Sequence, residues 1–499
     1  MHIIHIAAEL APIAKVGGLA DVVLGLCREL SWKGHDVDII IPYYDCIDIN
    51  QIRDLSLLTT NLQSYYAGEW ISNSIWMGWV ENLKVYFIEP HHKRHFFNRG
   101  CFYGCDDDIE RYLYFSRAAL EFIQHTGLAP DIIHLHDWQT AAIAPLYHNV
   151  YHKNGLNKPK IAFTIHNIEY QGKCSPKNID YIGLDSKAEL DSKKLLDPNN
   201  SKVVNLLKGA IVYSDFITTV SPTYAKEILT KEGGRGLEKT LKEYQAKYCG
   251  VLNGIDYSYW NPEIDRFLPC HYAPRETPKN KKDHNILNQK AFIKHLVRER
   301  LMLDEVHRPI VGCITRLVPQ KGIEQIEFAI QYAISHHGQF LLLGSSPIPE
   351  IQDHFHQLQQ KYSDNPHVHM TLHHQEELAH LIYAASDIFI VPSLFEPCGL
   401  TQMIALKYGA IPIVRRTGGL ADTIVDVDSG RPFEEINGYV FEEPTNAGIK
   451  SALDRAFDTW YHNPDFWRHL VIQGMNIDFS WNKPSNVYLD IYNKLCEKN

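Results

Sequence analysis

Short runs of β-branched and other apolar residues alternate along the chain with longer segments in which apolar residues recur at helical spacing. In the first half the predicted strands are His2–Ala7, Asp36–Ile41, Val85–Ile88, Ile132–Leu135, Ile161–Ile165 and Phe216–Val220. In the second half they are Ile310–Ile314, Gln339–Leu343, His367–Leu372, Ile388–Val391 and Ile411–Val414. Many of these runs are apolar throughout, which is typical of parallel strands covered by helices on both faces. Because Asp21–Lys33 and Asp108–Thr126 show helical periodicity between strands, the pattern predicts an α/β fold with doubly wound parallel sheets.

A stretch rich in proline and polar residues, Asn261–Asp283, separates the two series of strands near the middle of the chain. Its composition is typical of a linker or a surface loop. A chain of 499 residues is long enough for about three average domains or for two large α/β domains. The two series of strands favour two domains, each built on one sheet.

The composition is that of an ordinary globular protein, with 45% hydrophobic and 22% charged residues. It excludes a mainly disordered, collagenous or coiled-coil architecture. The net charge of −10, from 49 basic and 59 acidic side chains, gives no general attraction for nucleic acid or anionic lipid. Any phosphate must therefore bind at a local site, and we predict neither a nucleic-acid partner nor a membrane partner.

The ten cysteines are scattered along the chain and form no Cys-x-x-Cys pair. Cys101 and Cys105 are the closest two, but the second half of a zinc site is missing from the sequence. We therefore expect free thiols in a reducing cytosol. The N-terminal segment lacks a basic region and contains Glu9, which argues against a signal peptide, and no apolar run approaches the ~18 residues of a membrane span. The sequence predicts a soluble, cytoplasmic protein.

One pentapeptide, Gly-Gly-Leu-Ala-Asp, occurs in both halves of the chain, at residues 17–21 and 418–422. The glycines permit close backbone approach and unusual φ angles, and the aspartate falls in the first turn of a predicted helix. A glycine-rich turn that leads into a helix is an anion site in many proteins. Tight packing at a loop–helix junction is the alternative interpretation of either copy.

Two loops in the second half carry polar groups at the ends of predicted strands. Arg316 and Lys321 lie five residues apart after Ile310–Ile314, where a rigid guanidinium and a mobile ammonium suit a diphosphate. Glu396 follows Ile388–Val391 and is held extended by the proline after it, so its carboxylate is placed to bind sugar hydroxyls. The backbone amides from Gly399 to Thr401 offer further donors. Solvated surface cations and a capping glutamate are the alternatives.

In the first half, His134-Leu135-His136-Asp137-Trp138 and Thr164-Ile165-His166-Asn167 each end a predicted strand with polar groups. A histidine, an aspartate, an asparagine and an aromatic face suit a sugar better than a metal. Zinc held by His134, His136, Asp137 and His166 remains an alternative. Lys15 precedes the first glycine pair and could direct a cation toward a phosphate, or lie on the surface.

These residues stand within longer motifs. In order along the chain these are KVGGLADV, HLHDW, FTIHNIEYQG, VLNGIDYSYWNP, ITRLVPQKG, SLFEPCGLTQM and VRRTGGLADTIVD. With them the sequence resembles the bacterial glycogen synthases and plant starch synthases, which are retaining glycosyltransferases that use ADP-glucose. The resemblance extends over nearly the whole chain.

The resemblance implies a GT-B fold, in which two Rossmann-like domains face each other across a deep cleft. It implies an N-terminal, acceptor-side domain over residues 1–257 and a C-terminal, donor-side domain over 258–480. A C-terminal helix over 481–499 is expected to pack back on the N-terminal domain.

Residue by residue, the resemblance assigns Arg316 and Lys321 to the donor diphosphate and Glu396 to the donor glucose. His166 would meet the glucose near its reacting carbon, next to Asp137. The other residues expected to bind substrates are Lys15, Gly18, Asp21, Tyr103, Trp138, Asn167, Asn253, Gly344, Cys398, Gly399, Leu400, Thr401, Thr417 and Gly418. Among them, Tyr103 is expected to touch the glucan acceptor, and Thr417 and Gly418 to form a phosphate loop.

The implied reaction transfers glucose from ADP-glucose to the non-reducing end of an α-1,4-glucan with retention, and it uses neither a cofactor nor a metal. A phosphorylase with a pyridoxal lysine and a sucrose-forming relative are competing hypotheses, although the latter family lacks the KVGGL opening. A non-catalytic glucan-binding protein would be expected to lose Arg316, Lys321 or Glu396, and all three are present. A dehydrogenase is disfavoured because no Gly-x-Gly-x-x-Gly with a ribose-binding acid follows a strand. The choice between ADP-glucose and UDP-glucose and the oligomeric state stay open.

Overall fold

The computed structural model describes residues 1–156, 158–274 and 286–497. The chain divides into two units, which are Met1–Gly254 with Trp481–Asn499, and Ile255–Ser480. We call them the first unit and the second unit. Residues 275–283 of the predicted linker and residues 498–499 of the predicted C-terminal helix lie outside the described residues.

The first unit is built on a sheet of nine strands, with a small three-stranded sheet beside it. Its strands are β1 His2–Ile6, β2 Asp36–Pro42, β3 Arg53–Tyr66, β4 Glu69–Val80, β5 Leu83–Pro90, β6 Ile132–His136, β7 Lys160–Ile165, β8 Lys173–Cys174, β9 Leu196–Asp197, β10 Asn200–Asn205, β11 Phe216–Thr219 and β12 Tyr248–Gly250. The large sheet has the order β12-β11-β7-β6-β1-β2-β5-β4-β3. The strands from β12 to β5 pair in parallel, and β4 and β3 continue the sheet as an antiparallel hairpin.

The helices of this part of the chain are α1 Gly18–Trp32, α2 Asp108–Thr126, α3 Trp138–Ala141, α4 Ile143–Leu146, α5 Pro176–Asp180, α6 Ser186–Glu189, α7 Leu206–Tyr213, α8 Pro222–Glu227 and α9 Glu238–Glu243. The predicted helix Asp108–Thr126 is confirmed at both ends. The other predicted helix, Asp21–Lys33, begins three residues earlier, because the chain already turns into the helix at Gly18.

The second unit has one sheet in which all strands are parallel, in the order β15-β14-β13-β16-β17-β18. Its strands are β13 Ile310–Ile314, β14 Gln339–Leu343, β15 Val368–Thr371, β16 Ile388–Val391, β17 Ile411–Arg415 and β18 Tyr439–Phe441. Its helices are α10 Ile286–Arg300, α11 Ile323–Ser335, α12 Pro349–Lys361, α13 Glu376–Ala385, α14 Thr401–Lys407, α15 Gly418–Thr423, α16 Asn446–His462 and α17 Pro464–Asn476.

Every predicted strand is present, with ends that differ by no more than two residues. Central strands such as β6, β14 and β16 are buried along their whole length, which explains their unbroken apolar pattern. The sequence pattern missed the β3–β4 hairpin because β3 is mostly exposed and mixes polar with apolar residues. It also missed β8, β9, β12 and β18, which are only two or three residues long.

The described part of the predicted linker, residues 261–274, contains no helix or strand but packs into the second unit. Tyr272 is buried and donates a hydrogen bond from its hydroxyl to the Tyr408 carbonyl oxygen at 2.9 Å. The buried Asp265 carboxylate pairs with His380 at 2.7 Å. Of the two predicted alternatives, the linker is therefore wrong for these residues, which form a loop of the second unit.

The last helix, α18 Asn482–Cys496, belongs to the first unit. The Tyr492 hydroxyl lies 2.7 Å from His134 Nδ1 in the middle of the sheet. At the start of the helix the buried Trp481 indole covers Gly25 of α1, where an added Cβ would lie 2.0 Å from Trp481 Nε1. Gly25 is therefore required by close packing between α1 and the start of α18.

Within the described ranges, no helix combines the length and the apolar character needed to cross a membrane.

We expect Gly25→Ala to lower the free energy of unfolding by about 1–3 kcal/mol, because the added methyl group overpacks the contact with Trp481. Urea denaturation of the full chain measures the loss. In the double variant Gly25→Ala/Trp481→Phe the indole nitrogen is gone. The loss of unfolding free energy in the double variant should therefore be smaller than the sum of the losses in the two single variants. Strict additivity would contradict this account of Gly25.

Candidate active site

The predicted site residues lie in loops that leave the carboxyl ends of strands, or in the first turn of the helices that follow these loops. In the first unit, β7, β6 and β1 are neighbours and run in the same direction, so the loops that follow them begin at one edge of the sheet. Glu9, Asp137 and His166 lie in these loops. This edge is where ligands bind in open α/β sheets.

Glu9 organises the first of these loops. It is buried, and its Oε2 accepts hydrogen bonds from the backbone amides of Val16 at 2.8 Å and Gly17 at 3.1 Å. Its Oε1 accepts a hydrogen bond from the Tyr103 hydroxyl at 2.7 Å. Burial and the nearby Glu9 carboxylate raise the pKa of Tyr103 well above its usual value. Sequence analysis missed this role, although an acid in the apolar run after β1 was a usable signal.

Lys15 and Asp21, which flank the first glycine pair, bind each other. Lys15 Nζ lies 2.9 Å from Asp21 Oδ1, and both side chains are partly exposed. Asp21 lies in the first turn of α1, as predicted, and the helix begins at Gly18. The structure thus brings together three predicted substrate-binding residues at the start of one helix.

Asp137 joins the loops after β6 and β7. Its Oδ1 accepts hydrogen bonds from the backbone amides of His166 at 2.7 Å and Asn167 at 3.3 Å. Its φ of 57° is in the left-handed region, a strained conformation for an aspartate that costs on the order of 1–3 kcal/mol. Burial raises the pKa of Asp137 to about 7, and the two amides oppose that rise. Strain and a raised pKa are features that cluster at functional sites.

Three histidines form a hydrogen-bonded chain beneath this loop. His166 Nε2 lies 3.0 Å from His136 Nδ1, and His136 Nε2 lies 3.0 Å from His5 Nδ1. Burial lowers the pKa of His5 and of His166 to about 3 and holds that of His136 well below its usual value. All three rings are therefore neutral near pH 7.

The hydrogen bonds between the three histidines decide which nitrogen of His166 carries the proton. A neutral imidazole has one N–H donor and one acceptor nitrogen. His5 Nε2 is buried and has no hydrogen-bond partner among the described residues, and an orphaned N–H is rarer in proteins than an orphaned acceptor. His5 therefore donates through Nδ1 to His136, which donates to His166. This order places the His166 proton on Nδ1, because Nε2 is the nitrogen that accepts from His136.

The zinc set considered from the sequence is not assembled. Both ring nitrogens of His134 are used, by Thr164 Oγ1 at 2.7 Å and by the Tyr492 hydroxyl at 2.7 Å. The Asp137 carboxylate accepts the amides described above. His5, His134 and His136 do bring ligand atoms within 4.8 Å of one another, but hydrogen bonds already use the nitrogens between them. A hydrogen-bond network accounts for this cluster better than a metal.

The remaining predicted residues of the first unit are placed separately. Trp138 begins α3 and packs against Gly172, where an added Cβ would lie 2.8 Å from the indole. Asn167 Oδ1 accepts a hydrogen bond from the Glu169 amide at 3.1 Å, and the Asn167 NH₂ group takes no part in that bond. Asn253 follows β12, and its buried Oδ1 has no hydrogen-bond partner in the described part of the chain. A buried carbonyl of this kind is suited to accept a hydrogen bond from a ligand hydroxyl.

In the second unit, an ion pair joins the two loops that the sequence singled out. Lys321 Nζ lies 2.6 Å from Glu396 Oε2, and the Ser393 hydroxyl donates to the same oxygen at 2.7 Å. Glu396 is buried and Lys321 is partly exposed. The residue after Lys321, Gly322, has a φ of 74° and caps α11, so the chain turns sharply beside the lysine. The pair is thereby fixed at the edge of the sheet.

Arg316 differs from Lys321 in that its side chain is exposed. Within residues 1–156, 158–274 and 286–497, its guanidinium has no hydrogen-bond or ion-pair partner. It lies two residues after the end of β13 and directly follows Thr315, whose carbonyl oxygen would lie 2.2 Å from a Cβ added at Gly344. The structure thus brings the ends of β13 and β14 together and leaves one cation available to an anion.

The second copy of the pentapeptide packs against the loop of Glu396. Gly418 has a φ of 44°, and an added Cβ would lie 1.9 Å from the Glu396 carbonyl oxygen. At Gly419 an added Cβ would lie 2.2 Å from the Cys398 carbonyl oxygen. Thr417 is buried at the start of α15. Both glycines are required here by close approach of two backbones.

The first copy is different. Gly17 has a φ of −153°, which any residue can adopt, and nothing lies within 4 Å of an added Cβ. The first copy therefore does not use the unusual φ angle and close approach that glycine permits at Gly17. Its special feature is instead the pair of amides bound by Glu9.

The loop after Glu396 ends at α14. Cys398 is buried, Gly399 has a φ of 72°, Leu400 occupies the N-cap position and Thr401 is the first helical residue. The left-handed turn at Gly399 brings the backbone amides of this segment to the helix start, as the sequence predicts for amide donors.

We expect the stability of the protein to fall below pH 6.5, because the buried histidines are neutral in the folded state. His5 has a pKa of about 3 when folded and 6.5 when unfolded, so between these values the unfolded chain binds one proton more. His5→Leu should therefore flatten the pH dependence of the unfolding free energy by about 1.4 kcal/mol per pH unit below pH 6.5. Denaturation of both proteins between pH 5 and 7.5 measures the two slopes. Equal slopes would contradict a neutral, buried His5.

Comparison with known proteins identifies the family. The family model described as starch synthase catalytic domain matches residues 2–243, and the model described as glycosyl transferases group 1 matches residues 303–470. The chain is 66% identical over 500 residues to a glycogen synthase of Protochlamydia amoebophila (strain UWE25), and the match covers 100% of both proteins. It is 48% identical over 497 residues to the probable starch synthase 4 of Arabidopsis thaliana, covering 99% of this chain and 47% of that protein.

The solved structures agree. The catalytic domain of starch synthase IV from Arabidopsis thaliana bound to ADP and acarbose matches with a TM-score of 0.96 and 47% identity, covering 99% of each chain. A sucrose-phosphate synthase from Thermosynechococcus elongatus matches with a TM-score of 0.60 at 16% identity over 100% of both chains, which shows a shared fold alone. At these identities, over its full length, the chain belongs to the glycogen and starch synthase family of glycosyltransferases, and its two parallel-sheet units have the GT-B fold.

Proposed function

We propose that the protein transfers glucose from ADP-glucose to the non-reducing end of an α-1,4-glucan such as glycogen, with retention at the anomeric carbon and release of ADP. The observation that carries the proposal is the Lys321–Glu396 ion pair at 2.6 Å, with the exposed guanidinium of Arg316 on the same loop as the lysine. The relative of similar structure whose catalytic domain was solved with ADP and acarbose supports the choice of donor and acceptor.

The donor side is assigned to residues 258–480. Arg316 and Lys321 bind the diphosphate, and the buried Glu396 carboxylate accepts hydrogen bonds from hydroxyls of the donor glucose. Lys321 Nζ lies 2.6 Å from the Glu396 carboxylate and holds it in position. The tight packing of Gly418 on the Glu396 backbone fixes Thr417 and the phosphate loop beside the sugar site. Gly344 and the segment from Cys398 to Thr401 complete this side.

Charge stabilisation is the main catalytic effect in this proposal. As the bond to the anomeric carbon breaks, positive charge grows on the sugar and negative charge on the departing diphosphate. A cation held in place before the reaction stabilises that negative charge without reorganisation. Arg316 is free to move onto the phosphate, whereas Lys321 is already positioned by Glu396 and Ser393. The reaction then needs neither a metal nor an organic cofactor.

The acceptor side is assigned to residues 1–257 with the helix of 481–499. His166 donates a hydrogen bond from Nδ1 to the glucose near its reacting carbon, because His136 occupies Nε2. The Asn253 carbonyl group, Asn167 and Asp137 line the sugar pocket. Tyr103 and Trp138 offer aromatic faces to the glucan, and Lys15, Gly18 and Asp21 are the further substrate-binding residues of this unit.

We also infer that the protein works in the cytoplasm. All ten cysteines lie in the described residues and none forms a disulfide, which suits a reducing compartment. The acidic net charge of −10 suits a neutral polysaccharide acceptor better than an anionic polymer.

The direct test is transfer of radiolabelled glucose to glycogen from ADP-glucose and, in parallel, from UDP-glucose, with a metal chelator present. We expect label to enter glycogen from ADP-glucose, and glucan chains to lengthen through α-1,4 bonds. Transfer from UDP-glucose alone would overturn the donor assignment, and transfer abolished by the chelator would overturn the metal-independent mechanism.

We expect Lys321→Ala to lower kcat by at least ~10²-fold, the scale of removing one group that stabilises developing charge. Lys450→Ala is the matched control, since Lys450 also pairs with a carboxylate, Asp454 at 2.7 Å, but on the surface of α16. Steady-state rates with ADP-glucose and glycogen, on proteins with equal circular dichroism spectra, compare the two variants. A near-normal rate for Lys321→Ala would contradict the assigned role.

A further inference from the structure

Two cysteines flank Tyr103 in the loop that precedes α2. Cys101 Sγ and Cys105 Sγ are 3.6 Å apart, which is direct contact between the two sulfur atoms. Both side chains are partly exposed, so small solutes can reach them. Cys27, Cys174, Cys313 and Cys398, by contrast, are buried. Nothing in the proposed reaction uses either thiol.

The backbone around the pair is held in place from several directions. The Gly100 amide donates to the Asp45 carboxylate at 2.8 Å, and the Cys105 amide donates to Asp108 Oδ1 at 3.1 Å. The Phe102 carbonyl oxygen accepts from Arg111 at 2.6 Å and from the Tyr112 hydroxyl at 2.7 Å. These contacts keep the two thiols together, so the bond can form through a local shift of residues 101–105.

The surroundings distinguish the two sulfur atoms. The Arg99 guanidinium lies beside Cys105, and its own pKa is raised by Asp107 and, to a smaller extent, by that sulfur. Burial and the neighbouring Cys105 raise the pKa of the Cys101 thiol. A raised pKa leaves less of the Cys101 thiol in its ionised, nucleophilic form. Cys105 is therefore the attacking sulfur and Cys101 the one that resolves the intermediate.

We propose that Cys101 and Cys105 form a reversible dithiol–disulfide pair, which low-molecular-weight disulfides oxidise and which controls the loop that carries Tyr103. No metal competes for this pair in the described ranges, because no cluster of His, Cys, Asp and Glu side chains suited to a metal includes either cysteine. The effect on activity rests on the proposed function, whereas the formation of the disulfide does not.

The chemistry balances in two exchange steps. The Cys105 thiolate attacks one sulfur of glutathione disulfide, whose S–S bond breaks, and a glutathione thiolate leaves. Cys101 then loses its proton and attacks Cys105 Sγ, so that the Cys101–Cys105 bond forms and the second glutathione thiolate leaves. The protein gives up two electrons, glutathione disulfide accepts them, and the protons pass to the two glutathione thiolates.

Closing the bond alters the hydrogen bond that the intervening tyrosine makes. The sulfur atoms must approach from 3.6 Å to about 2.05 Å, and Tyr103 lies within the ring that forms. Its hydroxyl donates to Glu9 Oε1 at 2.7 Å, and Glu9 also holds the amides of Val16 and Gly17 ahead of α1. Displacing Tyr103 therefore removes a charge-assisted hydrogen bond and loosens the segment that carries Lys15.

The experiment treats the reduced, full-length protein with glutathione disulfide, blocks free thiols with iodoacetamide and digests with trypsin. Cleavage after Arg99 and Arg111 yields one peptide, residues 100–111, that contains both cysteines and no others. We expect this peptide to be unalkylated and lighter than the dithiol form by the mass of two hydrogens. Dithiothreitol should restore two alkylated thiols.

Cys46→Ser is the matched control, because Cys46 is exposed and nearby but has no sulfur in contact. It should form the same disulfide, whereas Cys105→Ser should form none. Oxidation should lower glucan transfer about tenfold in the wild type and in Cys46→Ser, the scale of one lost hydrogen bond to a charged group, and leave the rate of Cys105→Ser unchanged.

Two alkylatable thiols after oxidation, or a disulfide to Cys46, would overturn the proposal. A Cys101–Cys105 disulfide that leaves the transfer rate unchanged would overturn the control of the Tyr103 loop. Failure of the proposed function would appear differently, as a reduced protein that transfers no glucose while peptide 100–111 still responds to glutathione disulfide.

Discussion

Because the strands from β12 to β5 in the first unit, and all strands of the second, run in one direction, the loops that leave their carboxyl ends emerge at one edge of each sheet. That constraint collects Glu9, Asp137 and His166 on one edge, and Arg316 and Glu396 on another. Without parallel pairing these residues would have no reason to lie near each other, since long stretches of chain separate them. The chemistry of both units depends on this backbone arrangement.

The site residues at the edges of the two sheets differ in their charge. In the first unit burial keeps His5, His136 and His166 neutral, so their hydrogen-bonded series ends in an oriented N–H donor, and burial raises the pKa of Asp137 to about 7. In the second unit, Lys321 and Glu396 form an ion pair, and Arg316 stays exposed. A neutral, oriented surface suits sugar hydroxyls, whereas a positioned cation suits a phosphate. The chemical difference between the two sites follows from which side chains are paired.

Polar residues in apolar surroundings were the most informative feature of the sequence, but the sequence did not show which groups they contact. Glu9 appears in the sequence as an isolated acid, yet its carboxylate ties the Val16 and Gly17 amides to Tyr103. The two copies of the pentapeptide look alike, but only Gly418 has a positive φ and a backbone pressed against it. The same five residues therefore have different roles in the two copies, because the groups that contact them lie elsewhere in the chain.

The sequence by itself determined the parallel strands, the long helix Asp108–Thr126 and the family motifs, because apolar periodicity and turn chemistry are local properties. It placed Arg316, Lys321 and Glu396 in loops after strands for the same reason. Only the tertiary structure decided that Lys321 binds Glu396, that Asp265 is buried, and that the β3–β4 hairpin extends the sheet. These features depend on contacts between residues far apart in the chain, and no local pattern encodes the distance between them.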